Sequence, residues 1–171
     1  MRLLALDVDG TMTDGTIFIG PGQEAMKAFS VRDGFGLTLL REAGVRIAIV
    51  TGRQSSIVAT RAAELRLDAV EQGVADKVAA LRTLAARFGL DLSQIAFMGD
   101  DWPDLGAMSV AGLAAAPADA APEVVAAAHW VSARPGGHGA VRDFAQWLLD
   151  ARGELEELLA RRCAVPTASE R

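Results

Sequence analysis

The sequence predicts an α/β fold: a doubly wound parallel sheet carrying an inserted β-hairpin and no cap domain. Two patterns predict it. Four short apolar runs, at residues 3–8, 46–50, 94–98 and 112–116, lack polar alternation, as strands buried on both faces do. Between them lie segments with apolar residues at helical spacing, the β–α–β alternation that builds such a sheet. The first three runs end in residues that can carry chemistry: Asp7 and Asp9, then Thr51, then Asp100, Asp101 and nearby Asp104. Ligands of open α/β sheets bind beyond the carboxyl ends of the strands.

The intervening segments read as helices. Residues 35–43 carry Phe35, Leu37, Leu39, Leu40 and Ala43 and stop at Gly44. Residues 56–65 place Ile57, Val58, Ala62 and Leu65 on one face. Residues 76–88 do the same with Val78, Leu81, Leu84, Ala85 and Phe88, closed by Gly89. A short strand is expected before Lys77, and two further helices at 140–149 and 154–159. Residues 16–19 and 25–29 flank Gly20-Pro21-Gly22-Gln23, which reads as a hairpin between the first strand and its helix. A single domain over 1–171 is expected, with a frayed tail at about 162–171.

Composition narrows the function classes. Apolar residues make up 51% and charged residues 23% of the 171, a globular balance. The single cysteine, Cys163, excludes an intrachain disulfide and suits a reducing cytosol. The apolar start meets Asp7 too soon for a signal peptide, and residues 111–130 are broken by Asp119, Glu123, Pro117 and Pro122. A soluble, cytoplasmic protein with no membrane partner is expected. At net charge −5 it is a poor nucleic-acid binder, since that affinity comes from neutralising phosphates.

Asp7-Val8-Asp9-Gly10-Thr11 sets two carboxylates two residues apart, on one face of an extended chain. Alone, such a pair reads equally as a solvated loop or a cap. Directly after a buried strand it calls for a cation, because acidic groups at a sheet end are costly without one. Thr51-Gly52 offers a hydroxyl and a backbone N–H to phosphate oxygens, although by itself it reads as a turn. Asp100, Asp101 and Asp104 suit magnesium, a hard cation that prefers oxygen ligands; Asp101 or Asp104 also suits a helix cap. Lys77 can neutralise a phosphate.

Together these residues resemble the four motifs of the haloacid-dehalogenase-like phosphotransferase superfamily, with its Rossmann-like core. The segments Asp14-Gly15, residues 29–36, Thr51-Gly52-Arg53, Gln72-Gly73 and residues 136–142 narrow the similarity to its capless 3-deoxy-D-manno-octulosonate (KDO) 8-phosphate phosphatases, up to about Gly153. The resemblance implies that Asp7 is the nucleophile and Asp9 the general acid and base, with Thr51 and Lys77 also catalytic. It implies magnesium on Asp7, Asp100 and the Asp9 carbonyl. It implies that Asp9, Ser30, Val31, Arg32, Asp33, Gly34, Gly52, Arg53, Arg61 and Lys77 bind a phosphorylated sugar acid of lipopolysaccharide synthesis. Thr38 and His138 depart from it, standing where arginine is common.

The stretches from Asp7 to Thr51 and from Thr51 to Lys77 are too full to hold a cap domain, and a site open to water favours hydrolysis. In the hairpin, Ile17 and Ile19 share a face opposite Phe18, so both faces are apolar. A homo-oligomer built by the hairpin is expected, a tetramer by the resemblance; the competing reading is a flap over the chain's own site. Two rival functions stand beside the first: a phosphatase for a nine-carbon sugar acid 9-phosphate, against which Arg53 argues, and a catalytically silent oligomerisation domain, against which the intact acidic motifs argue.

Overall fold

The computed structural model describes residues 1–163. In chain order it runs β1 (Leu3–Leu6), the hairpin β2 (Phe18–Gly20) and β3 (Gln23–Met26), α1 (Val31–Glu42), β4 (Arg46–Thr51), α2 (Ser56–Glu64), β5 (Ala69–Gln72), α3 (Lys77–Phe88), β6 (Ile95–Met98), α4 (Leu105–Val110), β7 (Leu113–Ala116), α5 (Pro122–Ala127), β8 (Trp130–Val131), α6 (Ala140–Ala151) and α7 (Leu155–Cys163). Six strands form one sheet in the order β5-β4-β1-β6-β7-β8, and every neighbouring pair is parallel.

Strand alternation divides the apolar side chains between two layers. Leu4, Leu6, Ile47, Ile49 and Met98 face the layer built with α1, α2, α6 and α7. Leu3, Ala5, Ala48, Val50 and Phe97 face the layer built with α3, α4 and α5. Strands buried on both faces need continuous apolar runs, which is why the polar alternation is missing. At roughly 25 cal/mol per Å² of apolar surface, this two-sided burial is the main favourable term holding the fold.

Topology places the functional end. From β1 the chain winds outward through β4 and β5, then returns to β6 on the other side of β1. Leu6 lies level with Ile49 of β4 and Met98 of β6. The residues that follow these three strands therefore emerge at one edge, where the winding reverses and a crevice opens. The stretches between β1 and β4 and between β4 and β5 hold only the hairpin, α1 and α2, with no cap among the described residues.

Several boundaries differ from the sequence reading. Helix α1 starts at Val31 rather than 35, so residues 31–34 are its first turn and not a loop. Ser30 caps it, its Oγ accepting from Asp33 N at 3.3 Å. Gly34 and Gly36 obscured this start, since glycine disfavours a helix interior. Packing overrides that cost: a Cβ on Gly36 would sit 3.0 Å from Arg142 Cα of α6. The short α4, α5 and β8 lie in alanine-rich sequence with too little apolar contrast to read. Helix α7 continues to Cys163, past the expected fraying at 162, and Arg162 pairs with Glu42 of α1; the rest of the expected tail lies outside the described residues. The hairpin strands are shorter than read, with a register shift between Phe18 and Ile19.

Candidate active site

Asp7 follows β1 and extends its ladder, its N–H donating to Met98 O at 3.0 Å. The chain then folds back, and the N–H groups of Thr11, Met12 and Thr13 all donate to Val8 O. Gly10, at φ +88°, makes this turn beside Asp100; a Cβ there would lie 2.0 Å from Asp100 Oδ2. Thr11 Oγ1 donates to Asp100 Oδ1 at 2.9 Å. The D-x-D-G-T motif thus acts as one piece: its glycine admits Asp100 and its threonine orients it.

Asp104 organises the opposite wall. It is 1% exposed. Its Oδ2 accepts the N–H groups of Asp100 and Asp101 at 3.0 and 3.3 Å, and its Oδ1 accepts from Lys77 Nζ at 2.6 Å. Lys77, the first residue of α3 after the Asp76 cap, also stands 3.1 Å from Asp7 Oδ1. That approach is off the hydrogen-bond line, so Asp7 Oδ1 is buried without a hydrogen-bond partner among the described residues. Asp101 caps the short helical turn before α4, accepting from Trp102 N at 2.8 Å.

Carboxylate oxygens of Asp7, Asp100 and Asp104 lie within 4.8 Å of one another. Burial raises the Asp7 pKa to about 6; Asp104 adds repulsion, and Lys77 only partly offsets both. Burial likewise raises Asp100 to about 7, against the Thr11 hydrogen bond and with repulsion from Asp7, Asp104 and Asp101. Burial works against the Lys77 ammonium, but Asp7 and Asp104 outweigh it and hold its pKa above the usual lysine value. Clustered carboxylates of this kind lack positive charge, and an oxygen-only donor set suits a hard divalent cation. Both Asp104 oxygens are already engaged, which leaves Asp7 and Asp100 as the carboxylates free to ligate.

The Asp9 carboxylate is not in this cluster, although the sequence reading grouped it there. It pairs with Lys27, and Arg53 Nε lies 3.5 Å from its Oδ2. Lys27 also meets Glu24 Oε1 at 2.9 Å, and Glu24 accepts from Ser55 Oγ. The Lys27 side chain is 1% exposed; burial opposes its charge, but Asp9 and Glu24 more than compensate and raise its pKa. Sequence reasoning missed Glu24 and Lys27. The only signal was the pair of charges in a largely apolar hairpin. Through them the hairpin packs over its own chain's site, as in the flap reading, while Phe18, Ile19 and Met26 stay exposed.

Asp7, Asp9, Thr51, Arg53, Lys77 and Asp100, with Gly52 among others, line one cleft of about 280 Å³. Other residues singled out from sequence lie elsewhere. Ser30 caps α1 and Val31 is exposed. Asp33 is buried, accepting the N–H groups of Gly139 and Arg142 at 3.2 and 2.8 Å. Gly34 backs onto Arg61, whose Nη2 donates to Ser30 O at 3.4 Å and whose Nη1 pairs with Glu64 at 2.8 Å. Arg32 and His138 line a different cavity. Thr38 Oγ1 donates to Gly34 O within α1.

Comparison with known proteins places this geometry. The sequence profile of haloacid dehalogenase-like hydrolases matches residues 54–142. The 3-deoxy-D-manno-octulosonate 8-phosphate phosphatase of Yersinia pestis is 41% identical over 91% of this chain and 83% of its own length, and its crystal structure superposes with a TM-score of 0.89. A second structure, of the Moraxella catarrhalis phosphatase with magnesium, phosphate and KDO, is 37% identical, covers 94% of this chain and 92% of its own, and has a TM-score of 0.91. The cobalt-bound Haemophilus influenzae phosphatase is 35% identical over 91% of each chain, with a TM-score of 0.89. With its acidic strand ends, its lysine at the head of α3 and its capless sheet, the chain belongs to the haloacid dehalogenase-like hydrolases, among the 3-deoxy-D-manno-octulosonate 8-phosphate phosphatases.

Proposed function

We propose that the protein is a magnesium-dependent phosphomonoester hydrolase that releases phosphate from 3-deoxy-D-manno-octulosonate 8-phosphate. One observation carries the reading: Asp7 stands at the end of β1 with Asp100 and Asp104 within 4.8 Å and Lys77 beside it, in a cleft open to solvent. The buried oxygen of Asp7 and the raised pKa values of Asp7 and Asp100 are the electrostatic demand that a divalent cation satisfies. Asp7, Asp100 and the Asp9 carbonyl hold it. Bound there, magnesium supplies charge compensation between carboxylate and phosphate, whose repulsion at about 4 Å is on the order of 4 kcal/mol at an effective dielectric near 20.

Asp7 attacks phosphorus in line, forming the aspartyl-phosphate as the bond to the sugar oxygen breaks. Asp9 meets that leaving oxygen as the carboxylic acid and delivers its proton there, and Lys27 and Arg53 stabilise the carboxylate this leaves. Once ionised, Asp9 takes a proton from the water that cleaves the acyl-phosphate, restoring Asp7 and releasing inorganic phosphate. The Thr51 hydroxyl, the Gly52 N–H and the Lys77 ammonium hold the equatorial oxygens. Asp104 positions Lys77 and the Asp100 loop. Arg53, at the mouth beside Asp9, offers a planar two-donor fork to a carboxylate on the substrate.

The exposed Phe18, Ile19 and Met26 support assembly into a homo-oligomer, a tetramer by the resemblance, through the same hairpin whose inner side covers Asp9. No described helix is long and apolar enough to cross a membrane; separately, the relatives' activity supports a cytoplasmic, single-domain enzyme of lipopolysaccharide sugar synthesis. The test is turnover across phosphorylated sugar acids with and without magnesium. The eight-carbon acid 8-phosphate is expected to exceed nine-carbon 9-phosphates by at least about tenfold in kcat/KM, a difference near 1.4 kcal/mol. Preference for a nine-carbon acid, or full activity after exhaustive chelation, refutes the assignment.

A further inference from the structure

The geometry points to a second anion-binding site, outside the catalytic cleft, in the cavity between the first turn of α1 and the segment entering α6, with a phosphate dianion as its ligand. The cavity measures about 340 Å³ and is lined by Arg32, Arg134, His138 and Arg142, among others; it shares no lining residue with the catalytic cleft. The three guanidinium groups come from separate places: α1, the loop after β8, and α6. None of the three has a carboxylate ion-pair partner among the described residues, whereas Arg53 in the catalytic cleft does. In a chain of net charge −5, three arginines without ion-pair partners lining one hollow form an arrangement that an anion relieves.

The hollow is built to receive one. Arg142 is held on two sides: its Nε donates to Gln146 Oε1 at 3.1 Å, and its guanidinium lies 5.2 Å from the centroid of the Phe35 ring. Its terminal Nη groups remain without hydrogen-bond partners among the described residues, a fork already oriented and therefore cheap to engage. The one acid in the lining, Asp143, is turned into the loop, its Oδ2 accepting from Ser132 Oγ at 2.7 Å and Ala133 N at 3.1 Å. The Asp33 carboxylate already takes the N–H groups of Gly139 and Arg142, so side chains and not a bare helix end define the site. Three cationic forks match a dianion better than a single carboxylate, and phosphate fits their bidentate geometry. Arg32, which the resemblance counts among the substrate-binding residues, lines this cavity and not the catalytic cleft, so the inference moves Arg32 to a second site and leaves the roles of Asp7, Asp9 and Lys77 untouched.

The chain has two histidines, His129 and His138. Only His138 lines the cavity; the His129 Nδ1 accepts from Ala114 N, which makes it an internal control. Inorganic phosphate is titrated into the magnesium-loaded full-length protein at about pH 8, where phosphate is a dianion, and the histidine ring resonances are followed by NMR. The expected result is a saturable shift of His138 with His129 unmoved, retained in Asp7→Asn and weakened at least about tenfold in Arg134→Ala and in Arg142→Ala. Arg134 is exposed, so its variant tests the site even if Arg142→Ala perturbs α6. A parallel titration with a hexose 6-phosphonate, which has no ester bond to cleave, separates the sources: tighter binding than inorganic phosphate assigns the site to phosphate esters, equal or weaker binding to free phosphate. No saturable His138 shift, the same shift from sodium chloride at matched ionic strength, its loss in Asp7→Asn, or unchanged affinity in Arg134→Ala each overturns the proposal.

Discussion

Lowering the pH of a magnesium titration from about 7.5 to about 5.5 is expected to weaken the ion's affinity on the order of 100-fold. The magnitude follows from the two carboxyls that are to hold it. A group whose folded pKa is about 7, as for Asp100, is almost wholly protonated at the lower pH, and displacing that proton costs about 25-fold in affinity. Asp7, at about 6, adds about fourfold. Carboxyls at their ordinary values near 4 would change the affinity by only a few per cent over the same range. Calorimetry in two buffers of different ionisation enthalpy counts the protons: between one and two should leave per magnesium bound at the lower pH. The fold carries the same signature. Both pKa values are raised in the folded chain, so the metal-free protein is favoured below about pH 4 and loses that margin as the pH rises through about 6 and 7, where magnesium restores it. A change in affinity of less than about threefold, without proton release, refutes the assignment of Asp7 and Asp100 as the ligands.

Other perturbations separate chemistry from architecture. Asp7→Asn should reduce turnover at least about 1,000-fold yet stabilise the metal-free protein at pH 8 by about 1–3 kcal/mol, because it removes a buried charge from a repelling cluster; more than a few per cent of wild-type activity rules Asp7 out as the nucleophile. Lys27→Met leaves Asp9 without its buried partner and should lower kcat/KM about tenfold more for the sugar phosphate than for p-nitrophenyl phosphate, whose leaving group needs little protonation. Equal losses on both substrates mean that Lys27 serves only the fold. Gly10→Ala forces a Cβ to 2.0 Å from Asp100 Oδ2 at φ +88° and should cost about 2 kcal/mol or more in stability together with most of the magnesium affinity; thermal unfolding and metal titration of the same sample check both.

The sequence by itself determined the sheet and the chemistry-bearing strand ends. Runs such as residues 3–6 and 46–51 contain no alternation, and only a strand covered on both faces tolerates that. Once those strands are parallel neighbours of β1, Asp7, Thr51 and the Asp100 loop share one edge. Lys77 was legible as well, because Asp76 and Gly89 mark the ends of its helix. Only the tertiary structure decided how the charges pair. Asp104 binds Lys77 and two backbone amides, whereas Asp9 turns away to Lys27. Likewise, residues 31–34 form a helical turn because α6 and Arg61 pack against glycines that local propensity disfavours there. Local pattern reports which face a residue takes along its own element. Which carboxylate meets which ammonium depends on contacts such as Lys27 with Asp9 and Asp33 with Arg142, which exist only after distant segments have closed on one another.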